Sequence, residues 1–355
     1  MRTKKIIWLL ALCTVFSGGA VYGLFLLSEE IVHYHNTFIR RFPQHTAQEQ
    51  KALELHYNSY YFAGAENGKI YLGNRTAPLL VTVVDTSLTG KATHKINLLQ
   101  RDLPFQSPQV RVAGGDFFVF EGTVPYIFRG RTHDWSASLS LTRGRYFSAV
   151  APMGQGRVAV RFMRPGKGEN LLGAITFTDR PLVVYGDSLL QKQFDGIFDT
   201  DGMLHYDAKE DRAVYVYFYR NQFIVARPDM KLGYRGKTID TVSRAQLRLA
   251  RVGKGTMRTL AEPPLMVNKL SAVHQGLLFV NSTLPGQYES DYLWKSASII
   301  DVYSLADGAY QSSFPVYHRQ HKRMGSMLVY GDHLFALIGT ELVSYRLSGR
   351  IVTKR

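Results

Sequence analysis

A serine at the end of an apolar run is where a hydrolase places its nucleophile. Gly186-Asp187-Ser188-Leu189, after Pro181-Leu182-Val183-Val184, offers such a serine. The chemistry needs a histidine to take the hydroxyl proton and a carboxylate to orient that histidine. Nothing in the sequence sets a histidine base beside this serine, and the block lies mid-chain among short β-type runs. A turn explains it better. The densest set of metal-ligand types is Asp195, Asp199, Asp201, His205 and Asp207. Such carboxylates suit a hard cation, but the spacing of a calcium loop is absent and acidic turns with side-chain caps are common. Asp195, Asp201 and His205 stay as weak metal candidates, while the expectation is no metal and no other cofactor. His33-x-His35 lies close to an apolar segment, and His318-x-x-His321 is followed by Lys322-Arg323, whose charges oppose cation binding.

Residues at strand ends are the better candidates for ligand contact, because a radial β array exposes its loops there. Asn74 and Arg75 follow one strand-like run, and Arg129 follows Tyr126-Ile127-Phe128. His205 and Tyr206 lie within the acidic, turn-like cluster from Asp195 to Asp207. Tyr215, Tyr217 and Tyr219 alternate, which lines one face of a strand for packing, and Arg220-Asn221 come next. The expected ligand contacts are therefore Asn74, Arg75, Arg129, His205, Tyr206, Arg220 and Asn221. No residue is assigned a catalytic role. Asn74-Arg75-Thr76 and Asn281-Ser282-Thr283 match the glycosylation sequon but are discounted, since the lysine-led start suggests a bacterial chain.

The elements that must position these residues are short strands. From about Tyr57 onward, brief aromatic and β-branched runs alternate with Gly, Asp, Asn and Pro turns, and no long stretch keeps a helical period. Strand expectations include Lys69–Leu72, Leu80–Val84, Phe117–Phe120, Arg157–Phe162, Gln222–Ala226, Ser298–Tyr303 and Glu341–Tyr345. A glycine-led strand, a turn, a second strand and an Asp or Gly turn recur at Gly68, Gly276 and Gly331. We read each as the inner and middle strands of a propeller blade. Units start near residues 57, 108, 146, 197, 268 and 325, which predicts about six blades. A strand within Leu53–Ala63 would complete the last blade and close the ring, since open ends would expose strand edges. The structural alternative is a pair of β-sandwiches.

Before this domain, Arg2, Lys4 and Lys5 precede an uncharged run from Ile6 to Ser28, and Glu29-Glu30 follow. At ~1.5 Å per residue the run reaches about 34 Å, enough for a hydrocarbon core of about 30 Å. The basic flank favours an N-terminus in the cytoplasm and a domain outside, in the periplasm of the inner membrane. Cleavage after Gly18-Gly19-Ala20 as a signal peptide and acylation of Cys13 are the competing readings. The expected division is a cytoplasmic N-terminus at 1–5, a transmembrane helix at 6–28, a polar, partly helical stalk at 29–55, a propeller at 56–349 and a tail at 350–355. Ile31, Tyr34, Phe38 and Phe42 give the stalk its helical spacing. Cys13 is the chain's one cysteine, so the exported part has no disulfide and no thiol nucleophile. The formal net charge is +15, which favours anionic partners such as phospholipid headgroups, acidic envelope polymers or acidic proteins. Nucleic acid is not expected outside the cytoplasm.

Asn58-Ser59-Tyr60-Tyr61, Tyr71-Leu72-Gly73-Asn74, Gly122-Thr123-Val124-Pro125, Asp201-Gly202-Met203-Leu204-His205-Tyr206 and Tyr234-Arg235-Gly236-Lys237-Thr238-Ile239-Asp240 carry a resemblance. They are similar to a group of uncharacterised bacterial single-span, membrane-anchored propeller-like proteins. The resemblance covers most of the exported part and implies no activity. The expected function is a membrane-tethered binding or scaffold module for a protein, peptide or glycan. The alternative is a periplasmic enzyme or enzyme subunit, like the large subunit of an amine dehydrogenase or a lactonase propeller, because architecture does not fix chemistry.

Overall fold

A computed structural model describes residues 2–32, 36–100, 103–141, 144–252 and 257–349. His33, Tyr34, His35 and the tail beyond residue 349 lie outside the described residues. The chain opens with one helix, Arg2–Val32, whose apolar stretch Lys5–Leu24 is long enough to cross a membrane. Its side chains from Ile6 to Leu24 lie against no other part of the chain, as a membrane span or a signal sequence would.

The rest is a six-bladed β-propeller. Blade 1 is built from Tyr60–Glu66, Lys69–Asn74, Leu80–Asp85 and Lys91–Lys95. Blade 2 uses Gln109–Ala113, Asp116–Glu121, Tyr126–Arg131 and Ser136–Leu141, with Asn97–Leu98 added in parallel at its outer edge. Blade 3 uses Phe147–Gly154, Arg157–Met163, Asn170–Thr176 and Leu182–Gly186; blade 4 uses Gly202–Asp207, Arg212–Tyr217, Gln222–Ala226 and Leu232–Lys237. A small hairpin, Leu249–Val252 with Met257–Leu260, leads into blade 5, formed by Asn268–His274, Leu277–Ser282, Ala297–Ser304 and Tyr310–Tyr317. Blade 6 takes Met324–Tyr330, His333–Ile338 and Glu341–Leu347, and its outermost strand is Ala47–Glu54 from the chain's beginning.

The first strands of consecutive blades meet around an axis, and that of blade 6 meets that of blade 1. A ring of this kind holds its core between blades, where the faces of neighbouring sheets interdigitate. Six separate apolar clusters occupy the six blade-to-blade interfaces, from Tyr61 against Val110 between blades 1 and 2 to Phe62 against Phe335 between blades 1 and 6. Each fully buried Val, Leu or Phe there contributes roughly 1.5–3 kcal/mol. Contact is close enough to require glycine at 122, where a Cβ would run into the Phe147 carbonyl of the next blade.

Several expectations shift in register. The glycine-led strands Lys69–Asn74, Leu277–Ser282 and His333–Ile338 are the second strands of their blades, not the innermost. Their glycines, Gly68, Gly276 and Gly331, all have positive φ and turn the chain from the first strand into the second. The ring-closing strand is Ala47–Glu54, earlier than Leu53–Ala63, and its partner is Glu341–Leu347. Within the stretch expected as a stalk, residues 36–46 are irregular rather than helical, and they run along blade 5.

Arg40 makes the densest set of contacts there. Arg40 is buried and donates Nε and Nη2 to the two oxygens of Asp301 at 2.7 and 3.0 Å. Its Nη1 reaches Glu289 at 3.0 Å and the Leu284 carbonyl at 3.0 Å, and Nη2 also reaches Ser282 at 2.8 Å. Asn36 holds the Pro285 carbonyl, the Gln287 amide donates to the Phe38 carbonyl, and the Ser313 amide donates to that of Arg41.

Candidate functional site: the central channel

Because successive strands in a blade are antiparallel, every first strand begins on one face of the ring, here the near face. Links from second to third strands and links between blades share that face. Arg75, Asn221 and Asp195 therefore belong to the near face. The turns from first to second strands form the far face, where all six blades line a cavity of about 680 Å³. Tyr206, Asp211, Arg157, His274 and Tyr330 are among its walls.

Between the two mouths lies the channel, bordered by the six first strands, and Arg111 stands on the one that belongs to blade 2. Gln109-Val110-Arg111-Val112-Ala113 alternates as the first strand of blade 2; Val110 and Val112 are buried against blade 1, which turns Arg111 the other way. The Arg111 guanidinium donates to the Val110 carbonyl at 3.0 Å and stands 5.5 Å from the Tyr61 ring centre. Arg75 approaches the same ring at 5.6 Å, and the Tyr61 hydroxyl accepts from the Val110 amide at 2.8 Å. Among the described residues no carboxylate pairs with Arg111. Burial, reinforced by Arg75, lowers its pKa, with only Tyr61 acting in the opposite direction. Arg111 is half-buried, so part of its charge is shielded from water without a counter-ion, which is costly. The site therefore favours an anion.

Across the ring, His205 on the first strand of blade 4 meets Ser271 on that of blade 5, Nε2 to Oγ at 2.7 Å. Burial, and then the charge of Arg111, pull the His205 pKa down to about 4, so the ring is neutral at pH 7. The distance would suit a nucleophile and its base, but a ring so hard to protonate is a weak base. Ser271 is itself buried and also lies 3.2 Å from the Met203 sulfur. The pair ties two blades together and presents neutral polar groups opposite Arg111.

Of the expected ligand contacts, Arg75 and His205 are brought to this channel. Asn74, beside Arg75, caps its own loop by accepting from the Thr76 amide at 2.9 Å. Tyr206 lies at the far mouth, where its hydroxyl donates to Asp211 at 2.5 Å; burial and Asp211 push its pKa up to about 12. Arg129 sits away from the channel, donating to Asp116 at 2.7 Å. Arg220 is buried over the Tyr217 ring at 3.6 Å and donates to the Gln191 carbonyl at 2.7 Å, with Nε and Nη1 unpartnered. Asn221 donates to the Asp240 carbonyl.

The three weak metal candidates do not converge. Asp195 caps the Ile197 and Phe198 amides, Asp201 pairs with Arg161, and His205 faces Ser271. Among the described residues, no group of three His, Cys, Asp or Glu side chains is placed to hold a metal. Ser188 sits in the turn after the outermost strand of blade 3, where Arg235 takes its carbonyl and Arg164 takes Asp187. Asn281 is buried within blade 5, so its sequon is not displayed. Arg111, Tyr61, Ser271 and Arg40 escaped the sequence reading. The alternation around Arg111 was the available signal; nothing local marks Arg40.

No protein-family model matches the chain, and no curated protein does. Solved structures do resemble it. A member of the DUF4221 family from Bacteroides vulgatus is 14% identical, spans 86% of this chain and 99% of its own, and gives a TM-score of 0.51. A virginiamycin B lyase from Staphylococcus aureus with quinupristin is 10% identical over 84% of this chain and 99% of its own, at a TM-score of 0.47. YCF48 bound to D1 peptide is 12% identical over 81% of this chain and 79% of its own, at 0.45. At such identities the likeness is one of fold.

Proposed function

We propose that this chain is a membrane-tethered, extracytoplasmic binding module whose channel takes an anionic group of a protein, peptide or glycan ligand. The observation that carries the reading is Arg111: a half-buried guanidinium on the first strand of blade 2, with no carboxylate partner among the described residues, Arg75 over the same Tyr61 ring, and neutral His205 and Ser271 on the first strands of blades 4 and 5. A carboxylate entering there gains charge-assisted hydrogen bonds from guanidinium N–H groups other than the one given to Val110. Loops around the mouth then read whatever the carboxylate is attached to. The helix Arg2–Val32 supplies the tether, with the propeller on the outer side of the inner membrane and the N-terminus inside.

Calorimetric titration with oligoglutamate and with oligogalacturonate tests the reading, one probe standing for acidic peptides and the other for acidic glycans. Salt-sensitive binding that weakens at least about tenfold in Arg111→Met is expected, since tenfold is about 1.4 kcal/mol, the low end for a hydrogen bond to a charged group. Binding unchanged by that substitution would remove the channel from the account. Covalent capture of Ser271 by a fluorophosphonate would put the enzyme alternative ahead instead.

A further inference from the structure

The near face of blade 5 carries exposed aromatic rings that neither the channel nor the ring closure uses. Tyr288, Tyr292 and Tyr317 are 83%, 79% and 55% exposed, and Ile39 is 60% exposed. They form one neighbourhood. The Gln287 amide bonds the Phe38 carbonyl, joining Tyr288 to Ile39, and the His318 amide bonds the Ser296 carbonyl, joining Tyr317 to the short helix Asp291–Ser296 that carries Tyr292. The charges beside these rings are mostly basic: Lys295 in the same helix, and exposed Lys322 and Arg323 in the following link. Of the nearby acids, Glu289 is consumed by Arg40 and Asp291 lies 3.8 Å from Lys295.

The chain also fixes where this patch sits. The apolar run ends at Ser28 and its helix at Val32, about 6 Å further on, and Asn36 is already bonded to the Pro285 carbonyl in the loop that carries Tyr288. Four residues reach at most ~14 Å when fully extended. Arg40 then locks the segment onto blade 5, so the tether has little slack to lift this face away. Tyrosines placed at a membrane–water boundary lie with ring in the acyl edge and hydroxyl in the headgroups, and neighbouring lysines favour anionic lipid. Tethering makes even a weak surface affinity sufficient, because the second contact is intramolecular.

We propose that Tyr288, Tyr292, Tyr317 and Lys295 form a second membrane contact, seated in the headgroup layer of an anionic bilayer. This holds the near face of blade 5 against the membrane and turns the far mouth of the channel outward. The proposal rests on the helix being a retained membrane span, as in the functional reading above.

The test uses the full chain in nanodiscs containing phosphatidylglycerol. Cys13→Ser removes the native thiol, and a spin label is placed by Tyr292→Cys, by Lys209→Cys on the far face, or by Phe16→Cys in the helix. Labelled Tyr292→Cys should show a several-fold loss of access to a water-soluble nickel quencher relative to Lys209→Cys, and the difference should shrink in uncharged nanodiscs. Equal access at the two positions, with Phe16→Cys shielded, overturns the membrane contact alone. Free access at Phe16→Cys overturns the membrane span and the contact together.

Discussion

Arg40 is the residue whose loss the structure makes easiest to cost. Arg40→Met keeps the apolar stem but removes the guanidinium that serves Asp301 and Glu289, both buried, along with Ser282 and the Leu284 carbonyl. Among the described residues Asp301 would keep only the Ser313 hydroxyl, and Glu289 only the Trp294 ring N–H. Breaking a buried pair by removing one partner costs about 3–5 kcal/mol, most of it from the stranded charge. For a domain of this size that is on the order of a 10 °C fall in Tm. The loss should begin locally. Residues 36–46 have no strand partners of their own, so they should detach while Ala47–Glu54 keeps the ring closed through Glu341–Leu347. Urea unfolding of the full chain in detergent measures the free energy, and brief trypsin treatment at exposed Arg41 measures detachment. Adding Asp301→Asn and Glu289→Gln to Arg40→Met should recover part of the loss, because the buried charges are gone. A change under about 1 kcal/mol with unaltered cleavage would place the pair among ion pairs of negligible worth and refute the clamp.

Other consequences follow from the channel and the ring. Because the folded pKa of His205 is depressed from about 6.5 to about 4, the neutral ring's contribution is complete above pH 6.5 and lost as pH falls through 4. Two and a half pKa units correspond to about 3 kcal/mol at most, read as the difference in acid stability between the native chain and His205→Asn; parallel pH profiles would contradict it. Arg111→Met should leave stability unchanged or raise it by about 1 kcal/mol, since a half-buried charge with no carboxylate partner among the described residues is removed, even as anion binding falls; marked destabilisation would show that its contacts with Val110 and Tyr61 hold the fold. Gly122→Ala should lower soluble expression sharply, because the new methyl collides with the Phe147 carbonyl across a blade interface; a native-like Tm would disprove that close approach.

The blade count was legible because second and third strands announce themselves. Runs such as Phe117-Phe118-Val119-Phe120 and Ile299-Ile300 are buried on both faces between neighbouring sheets and read as continuous apolar stretches. First strands are harder to see. Gly202–Asp207 and Asn268–His274 border the channel, mix polar and small residues, and lack that signature. Missing them moved the inner-strand assignment outward by one strand. The closing strand, Ala47-Gln48-Glu49-Gln50-Lys51-Ala52-Leu53-Glu54, is an exposed outer edge with scarcely any apolar alternation, so only its pairing with Glu341–Leu347 identifies it. Arg75 could be read as a strand-end residue, whereas His205 was read within an acidic turn cluster and the first strand that carries it was missed. Arg111 lay hidden because a lone arginine between two valines carries no local mark of lacking a counter-ion; that emerges only when six blades surround it. Arg40 is the converse case, since its partners are some 240 to 260 residues away in sequence.

Anomalous diffraction from crystals of the protein soaked in selenate locates an anion directly. The account predicts an anomalous peak within hydrogen-bonding distance of the Arg111 guanidinium, on the side facing His205 and Ser271, and its loss in Arg111→Met. A channel without that peak, at selenate concentrations that label exposed arginines elsewhere such as Arg248, would contradict it.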